Sequence, residues 1–136
     1  MARLPEQRAW DALKRAINPW ELLLHRVENM CVDGMSDVIG INKRGVVFWI
    51  ENKALADWPS RATTCPLGDS FEPGQLPFMR EWKYWKGHAF VLLRVGTDFL
   101  LLDPTQPLDK MNSADLIISA IVAGKQSVCL HLESLK

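Results

Sequence analysis

The chain has 136 residues, its 16 Lys and Arg residues balance 16 Asp and Glu residues, and 48% of its residues are hydrophobic. This composition excludes a disordered chain and predicts a single globular domain over residues 1–136 that needs no disulfide framework to fold. The zero net charge gives no general attraction to nucleic acid. An acidic metal cluster and a separate basic surface can nevertheless cancel in such a sum.

Three further features favour a reducing, cytoplasmic location. The chain has three cysteines, an odd number with spacings unlike those of a secreted disulfide framework. Its first residues lack the apolar stretch of a signal peptide, and no apolar run approaches the ~18 residues that span a bilayer. We therefore expect a protein of the cytoplasm that does not enter a membrane.

The first half of the chain predicts a helix and then three strands. Pro5 suits the first turn of a helix, and the Asn18-Pro19 pair ends it. Alternating residues then indicate strands, and a short connection near Gly45 suggests a hairpin, so the three strands form a meander. The predicted elements are a helix over 4–18, a further helical turn over 20–24, and strands over 25–33, 36–41 and 45–53.

The second half begins with an aperiodic stretch, residues 54–74, which is long for a loop in a small domain. Helical spacing then returns, with Phe78, Met79, Trp82 and Trp85 on one stripe. Two nearly continuous apolar runs follow, as expected for central strands. The predicted elements are a helix over 75–86, strands over 88–95 and 98–103, a helix over 114–122, and a strand over 127–132. This order predicts a mixed α/β sheet flanked by helices.

Glu51, Lys53 and Asp37 are the candidate chemical groups. Positions 51 and 53 of a strand place their side chains on the same face, and Asp37 begins the neighbouring strand, from which it can lie across from Glu51. Two adjacent carboxylates repel each other unless a cation lies between them, and hard oxygen ligands suit Mg²⁺ or Mn²⁺. A nearby ammonium can bind a phosphate oxygen or orient a water molecule. This set of groups fits metal-assisted phosphodiester hydrolysis.

The triplet from Glu51 to Lys53 is a weak signal by itself, because a chain of this composition contains about one acid-x-Lys triplet by chance. A second triplet, from Glu81 to Lys83, falls in a predicted helix, where positions two apart diverge and cannot share a site. The strand context distinguishes the first triplet. The alternative interpretation is an edge strand that ends in solvated charges.

Residues 34–37, Gly-Met-Ser-Asp, together with residues 49–53, Trp-Ile-Glu-Asn-Lys, and Gln75 at a helix start, resemble the signature of the PD-(D/E)xK nucleases. The similarity is to the VRR-NUC and Holliday-junction-resolvase branch and its small phage relatives, and it covers about residues 22–103. Ser36 stands where that family usually has proline. The resemblance implies a restriction-endonuclease-like α-β-β-β-α-β core, a mixed sheet flanked by helices, with a C-terminal helix and strand extension.

The resemblance also implies roles for individual residues. Asp37, Glu51 and the backbone carbonyl of Asn52 would hold Mg²⁺ or Mn²⁺, Lys53 would place the water or steady a phosphoryl oxygen, and Gln75 would assist. Basic residues would contact the DNA backbone, and family members often add one more acid near the metal. The candidate DNA contacts are Arg26, Lys43, Arg44 and Arg61, and the candidate further acids, among which the sequence does not choose, are Glu6, Asp11, Glu21 and Glu28.

The function that the resemblance implies is a divalent-metal-dependent DNA endonuclease that acts on branched or junction DNA. By the same analogy, the protein would be a homodimer, and it would act in the host cytoplasm if a phage encodes it. We expect no nucleotide cofactor, because the sequence has no Gly-rich phosphate loop. The competing hypothesis is a catalytically inactive nuclease fold that serves as a DNA-binding or adaptor module. The zero net charge slightly favours this second hypothesis.

Overall fold

The computed structural model describes residues 5–27 and 34–136, and over these residues the chain forms one six-stranded sheet and four α helices. The elements in chain order are α1 (Pro5–Ala16), β1 (Leu22–Arg26), β2 (Val38–Asn42), β3 (Val47–Leu55), α2 (Gln75–Tyr84), β4 (His88–Val95), β5 (Asp98–Leu102), a short 3-10 helix (Leu108–Lys110), α3 (Ser113–Ser119), β6 (Val122–Ala123) and α4 (Lys125–Glu133). The predicted mixed α/β fold is confirmed.

The strands lie in the sheet in the order in which they occur along the chain. β1, β2 and β3 form the predicted antiparallel meander, and β3 then pairs in parallel with β4. A parallel pair needs a crossover connection, and the loop over 56–74 together with α2 provides it. The carboxyl ends of β3 and β4 consequently share one edge of the sheet.

Two hydrophobic cores cover the two faces of the sheet. On one face, α1 and α4 contribute residues such as Leu13 and Val128, which pack with Ile50 of β3. On the other face, Met79 of α2 and Leu67 of the long loop pack with Trp49 of β3. The near-continuous apolar runs of β4 and β5 follow from this double burial, because both strands contribute residues to both cores.

The C-terminal segment over 127–132, predicted as a strand, is part of helix α4. Val128, Cys129 and Leu132 are buried, which is a helical spacing, whereas Leu130 is 54% exposed. The alternation of Val128, Leu130 and Leu132 imitated the period of a strand. The prediction was wrong because the packing of α4 against the sheet decides which of two compatible periods is used.

Two other predictions near the N-terminus need correction. The predicted helical turn over 20–24 is wrong, because β1 begins at Leu22 and pairs Leu22 and Leu24 with β2. Both leucines are buried in the same core as Leu13 of α1 and Val128 of α4, so tertiary packing favours the extended form. The strand predicted over 25–33 coincides with β1 only at residues 25 and 26. Residues 28–33 lie outside the described residues.

The ends of α2 and α3 also differ from the prediction. α2 ends at Tyr84, the chain turns through Lys86 with φ 70°, and Trp85 is 75% exposed rather than on the stripe with Met79. α3 begins after the N-cap residue Asn112, whose side chain accepts a hydrogen bond from the Asp115 amide, and it stops at Ser119 because the next residues lead into β6. In the described ranges, no helix is long and apolar enough to cross a membrane.

Candidate active site

Asp37 and Glu51 face each other across two neighbouring strands. Val38 of β2 pairs with Ile50 of β3 in an antiparallel register. Asp37, which precedes Val38, therefore lies opposite Glu51, which follows Ile50. Asn52 follows Glu51 on β3, and its amide donates a hydrogen bond of 3.1 Å to Oδ1 of Asp37. The structure therefore brings the two predicted carboxylates together, and a backbone donor fixes one of them.

Lys53 and Gln75 complete a buried hydrogen-bond network with Glu51. Nζ of Lys53 lies 3.5 Å from Oε2 of Glu51, and it donates to Oε1 of Gln75 at 3.0 Å. Nε2 of Gln75 donates to the same Glu51 oxygen at 3.2 Å. Glu51 and Lys53 are only 4% and 5% exposed, so these charges are not the solvated end of an edge strand.

The long loop covers this network, and sequence reasoning did not predict that its residues contact Lys53. Nζ of Lys53 donates to the carbonyl oxygen of Ser70 and lies 5.0 Å from the centre of the Phe71 ring. The amide of Glu72 donates to Oε1 of Gln75 at 3.0 Å. The apolar Phe71 in a polar stretch just before Gln75 was the one available signal.

Both carboxyl groups have raised pKa values. Burial is the main cause for Asp37, whose pKa rises from 3.8 to about 6 although the Asn52 amide opposes the shift. Burial, followed by repulsion from Asp37, raises the pKa of Glu51 from 4.5 to about 8, against the attraction of Lys53. Two carboxylates this close do not both hold a charge at neutral pH without a compensating cation.

The donor set fits a hard divalent cation. Oε1 of Glu51 is buried and has no hydrogen-bond partner, so a cation could take up this acceptor. Over the part of the chain that the structure describes, no group of three or more His, Cys, Asp or Glu side chains forms a metal cage. Mg²⁺ typically uses one or two carboxylates and keeps several waters, which matches Asp37 and Glu51 with the Asn52 carbonyl as a candidate third ligand.

Among the candidate further acids, Glu6 is the one whose charge raises the pKa of both Asp37 and Glu51. Asp11 instead accepts a hydrogen bond from Gln7 on α1. Glu21 precedes β1 at the end that pairs with Asn42, which is the opposite end of the sheet from Asp37. Glu28 lies outside the described residues.

The predicted DNA contacts are dispersed. Arg26 donates to Gln7 and stacks at 5.8 Å on Trp10 of α1, so it does not join the carboxylates. Lys43 and Arg44 are exposed in the hairpin between β2 and β3, six and seven residues after Asp37 and so roughly 20 Å away along the strand at about 3.3 Å per residue. Arg61 is exposed in the long loop.

No family model and no curated protein matches this chain. The solved structures that share its fold include the following two. The Holliday junction resolvase Hjc from the archaeal hyperthermophile Archaeoglobus fulgidus is 13% identical, with a TM-score of 0.58 over 92% of this chain and 97% of that one. A VRR_NUC domain is 19% identical, with a TM-score of 0.51 over 69% of this chain and 88% of that one.

The two structures, a Holliday junction resolvase and a VRR_NUC domain, agree with the branch of nucleases that the residue pattern resembles. The chain has the restriction-endonuclease-like fold that the resemblance implied, and that prediction is confirmed.

Proposed function

We propose that the protein is a divalent-metal-dependent DNA endonuclease. The observation that carries the proposal is the buried carboxyl group of Glu51, with one oxygen lacking any hydrogen-bond partner, next to the half-buried Asp37 and the buried ammonium of Lys53. Burying a charge cluster of this kind costs stability, and its presence therefore points to a functional site. Its position in a fold shared with a junction resolvase favours phosphodiester hydrolysis.

Each residue has a distinct part in the proposed reaction. Asp37 and Glu51 would hold Mg²⁺ or Mn²⁺ with the Asn52 carbonyl, and the Asn52 amide keeps the Asp37 carboxylate in place. When bound, the cation supplies Lewis-acid stabilisation of the developing charge on the phosphoryl group. Lys53 donates to a phosphoryl oxygen or to the attacking water, and Gln75 holds Glu51 and Lys53 in register.

The environment of Lys53 adds a requirement to this mechanism. An ammonium has three N–H donors, and Glu51, Gln75 and Ser70 provide three acceptors around it. A phosphoryl oxygen must therefore replace one of these acceptors. The Ser70 carbonyl, which belongs to the loop rather than to the sheet, is the partner that DNA would displace.

The substrate and assembly follow by analogy. A fold in common with Hjc favours branched or four-way-junction DNA, and cutting two symmetric strands is most simply done by two copies of the site, hence a homodimer. The occupied donors of Lys53 and the zero net charge favour a second candidate, an adaptor that binds DNA without cutting it.

The test compares supercoiled, linear and four-way-junction DNA with Mg²⁺, with Mn²⁺ and with chelator. We expect cleavage only with metal, lost in Asp37→Asn, Glu51→Gln and Lys53→Met. Glu81→Gln is the matched control, because Glu81 belongs to the second acid-x-Lys triplet and is exposed on α2. Binding without cleavage under every condition would favour the adaptor.

A further inference from the structure

A cavity opens at the carboxyl edge of β3 and β4, next to the candidate active site. Its volume is about 290 Å³, near the lower end of small-molecule clefts, so it suits a small group rather than a large metabolite. Two of its lining residues are arginines, and none of the lining residues that the structure describes is acidic. The cavity is lined by Pro5, Arg8, Ala54, Leu55, Ala56, Arg94 and Gly96.

Arg94 is the unusual residue of this cavity. It continues the face of β4 that buries Phe90 and Leu92 against α1 and α4, a position that otherwise holds apolar side chains. Its Nε atom is buried and has no hydrogen-bond partner. Because an unpaired buried donor is unfavourable, and a guanidinium cannot be neutralised by losing its proton, this group calls for an anionic acceptor.

Arg8 supplies a second guanidinium from α1. It is exposed, and Pro5, the first residue of the helix, lines the same cavity. The positive end of the α1 dipole therefore adds to the two arginine charges. Planar guanidinium forks match the geometry of phosphate oxygens.

The cavity and the candidate active site meet at one edge of the sheet. Arg94 of β4 pairs with Ala54 of β3, so their side chains lie on the same face of the sheet. Lys53 directly precedes Ala54, and its side chain therefore lies on the opposite face from Arg94, close to the same edge. DNA that crosses this edge can therefore reach both groups.

We propose that the cavity lined by Arg8 and Arg94 binds a phosphate group of the DNA. This phosphate would lie on the opposite face of the sheet from the scissile bond. The identity of the ligand as DNA rests on the proposed function, whereas the phosphate site rests on the cavity itself. The phosphate is either an internal phosphodiester or a terminal 5′-phosphate. Both sources present the same anionic oxygens to the arginines.

Two binding measurements test the site without relying on cleavage. The first follows the unfolding temperature of the full chain in inorganic phosphate and in chloride at equal ionic strength. The second follows fluorescence anisotropy of DNA with a 5′-phosphate or a 5′-hydroxyl, in the presence of chelator. The variants are Arg94→Gln, Arg94→Lys and Arg8→Gln, and the control is Arg15→Gln, an exposed arginine in the last turn of the same helix.

We expect phosphate to raise the unfolding temperature of the wild type and of Arg15→Gln, but not that of Arg94→Gln. DNA affinity should fall about tenfold in Arg94→Gln and in Arg8→Gln, with partial recovery in Arg94→Lys. A loss confined to 5′-phosphorylated DNA identifies the terminal group, and a loss on both DNAs identifies an internal phosphate. If Arg94→Gln does not fold, the exposed Arg8→Gln decides the question.

The outcomes separate this proposal from the proposed nuclease activity. Unchanged phosphate and DNA binding in Arg94→Gln and Arg8→Gln would overturn the phosphate site, even if the wild type cuts DNA. Conversely, if the wild type binds DNA without cutting it while Arg94→Gln and Arg8→Gln bind DNA more weakly, that result would overturn the proposed nuclease activity and support the phosphate site.

Discussion

The backbones of Gly34 and Gly74 touch, and this contact ties the turn before Asp37 to the start of α2. A Cβ atom added to Gly34 would lie 2.1 Å from the carbonyl oxygen of Gly74 and 2.7 Å from the amide nitrogen of Gln75. Gly34 also has φ +78°, a conformation that other residues adopt only with strain. One glycine thus sets the spacing between two residues of the candidate active site, Asp37 and Gln75.

Gly34→Ala should therefore disturb both stability and activity. The left-handed φ alone costs about 1–2 kcal/mol, and the overlap with the Gly74 carbonyl adds to this cost because backbone atoms must move apart. Gly45→Ala is a matched control, since Gly45 has φ +80° but nothing within 4 Å of the added Cβ. Chemical denaturation should show the larger loss for Gly34→Ala, and DNA cleavage should fall only in that variant. Equal losses in the two variants would contradict the role of the contact.

The metal-free protein should lose stability as the pH rises. Folding raises the pKa of Asp37 from 3.8 to about 6 and that of Glu51 from 4.5 to about 8, so the unfolded chain releases these protons first. The stability that these groups contribute is complete below about pH 4 and is lost progressively as the pH rises through 6 and 8. Thermal unfolding in chelator from pH 5 to 9 checks this, and Mg²⁺ should restore more stability at pH 9 than at pH 5. A metal effect that does not change with pH would contradict it.

Glu51→Gln should be more stable than the wild type in chelator at pH 8 to 9. The amide carries no charge to bury beside Asp37, and the gain is on the order of a few kcal/mol because one pKa unit corresponds to about 1.4 kcal/mol. The same variant should show a smaller stabilisation by Mg²⁺, since a carboxylate ligand is lost. Denaturation curves with and without the metal measure both effects, and Glu81→Gln should leave both unchanged. A Glu51→Gln protein less stable than the wild type at pH 9 would argue against repulsion as the dominant force.

Much of the candidate site could be predicted because it depends on strands. The two-residue period puts Glu51 and Lys53 on one face, and the short hairpin near Gly45 brings Asp37 to the neighbouring position. The contacts of Ser70 and Phe71 with Lys53 could not be predicted, because no periodicity in residues 56–74 fixes where that loop returns to the sheet.

Other features depended on tertiary packing. Arg94 was the one charged residue in an otherwise apolar run, from Ala89 to Val95, and this was a signal for its cavity that the assignment of a buried strand concealed. α4 was read as a strand because Leu130 fits an alternating pattern, whereas its buried residues, Val128, Cys129 and Leu132, follow a helical pattern. In both cases the sequence allowed two interpretations, and the neighbouring elements selected one.

Gln75→Met tests whether the start of α2 organises the site. Methionine has a similar length but cannot accept the Lys53 and Glu72 hydrogen bonds or donate to Glu51. The lost bonds to charged groups predict a destabilisation of about 1–3 kcal/mol. Cleavage should fall at least about tenfold, because Lys53 then keeps fewer groups that fix its position.

The control for this variant is Gln126→Met, since Gln126 is exposed in the first turn of α4 and should tolerate the change. Cleavage rates at saturating DNA separate positioning from binding, and the Gln75 variant should lower kcat more than it raises KM. A change in KM alone would mean that Gln75 contacts DNA instead of holding Lys53 and Glu51. Wild-type kinetics in Gln75→Met would show that the sheet by itself positions the two charged groups.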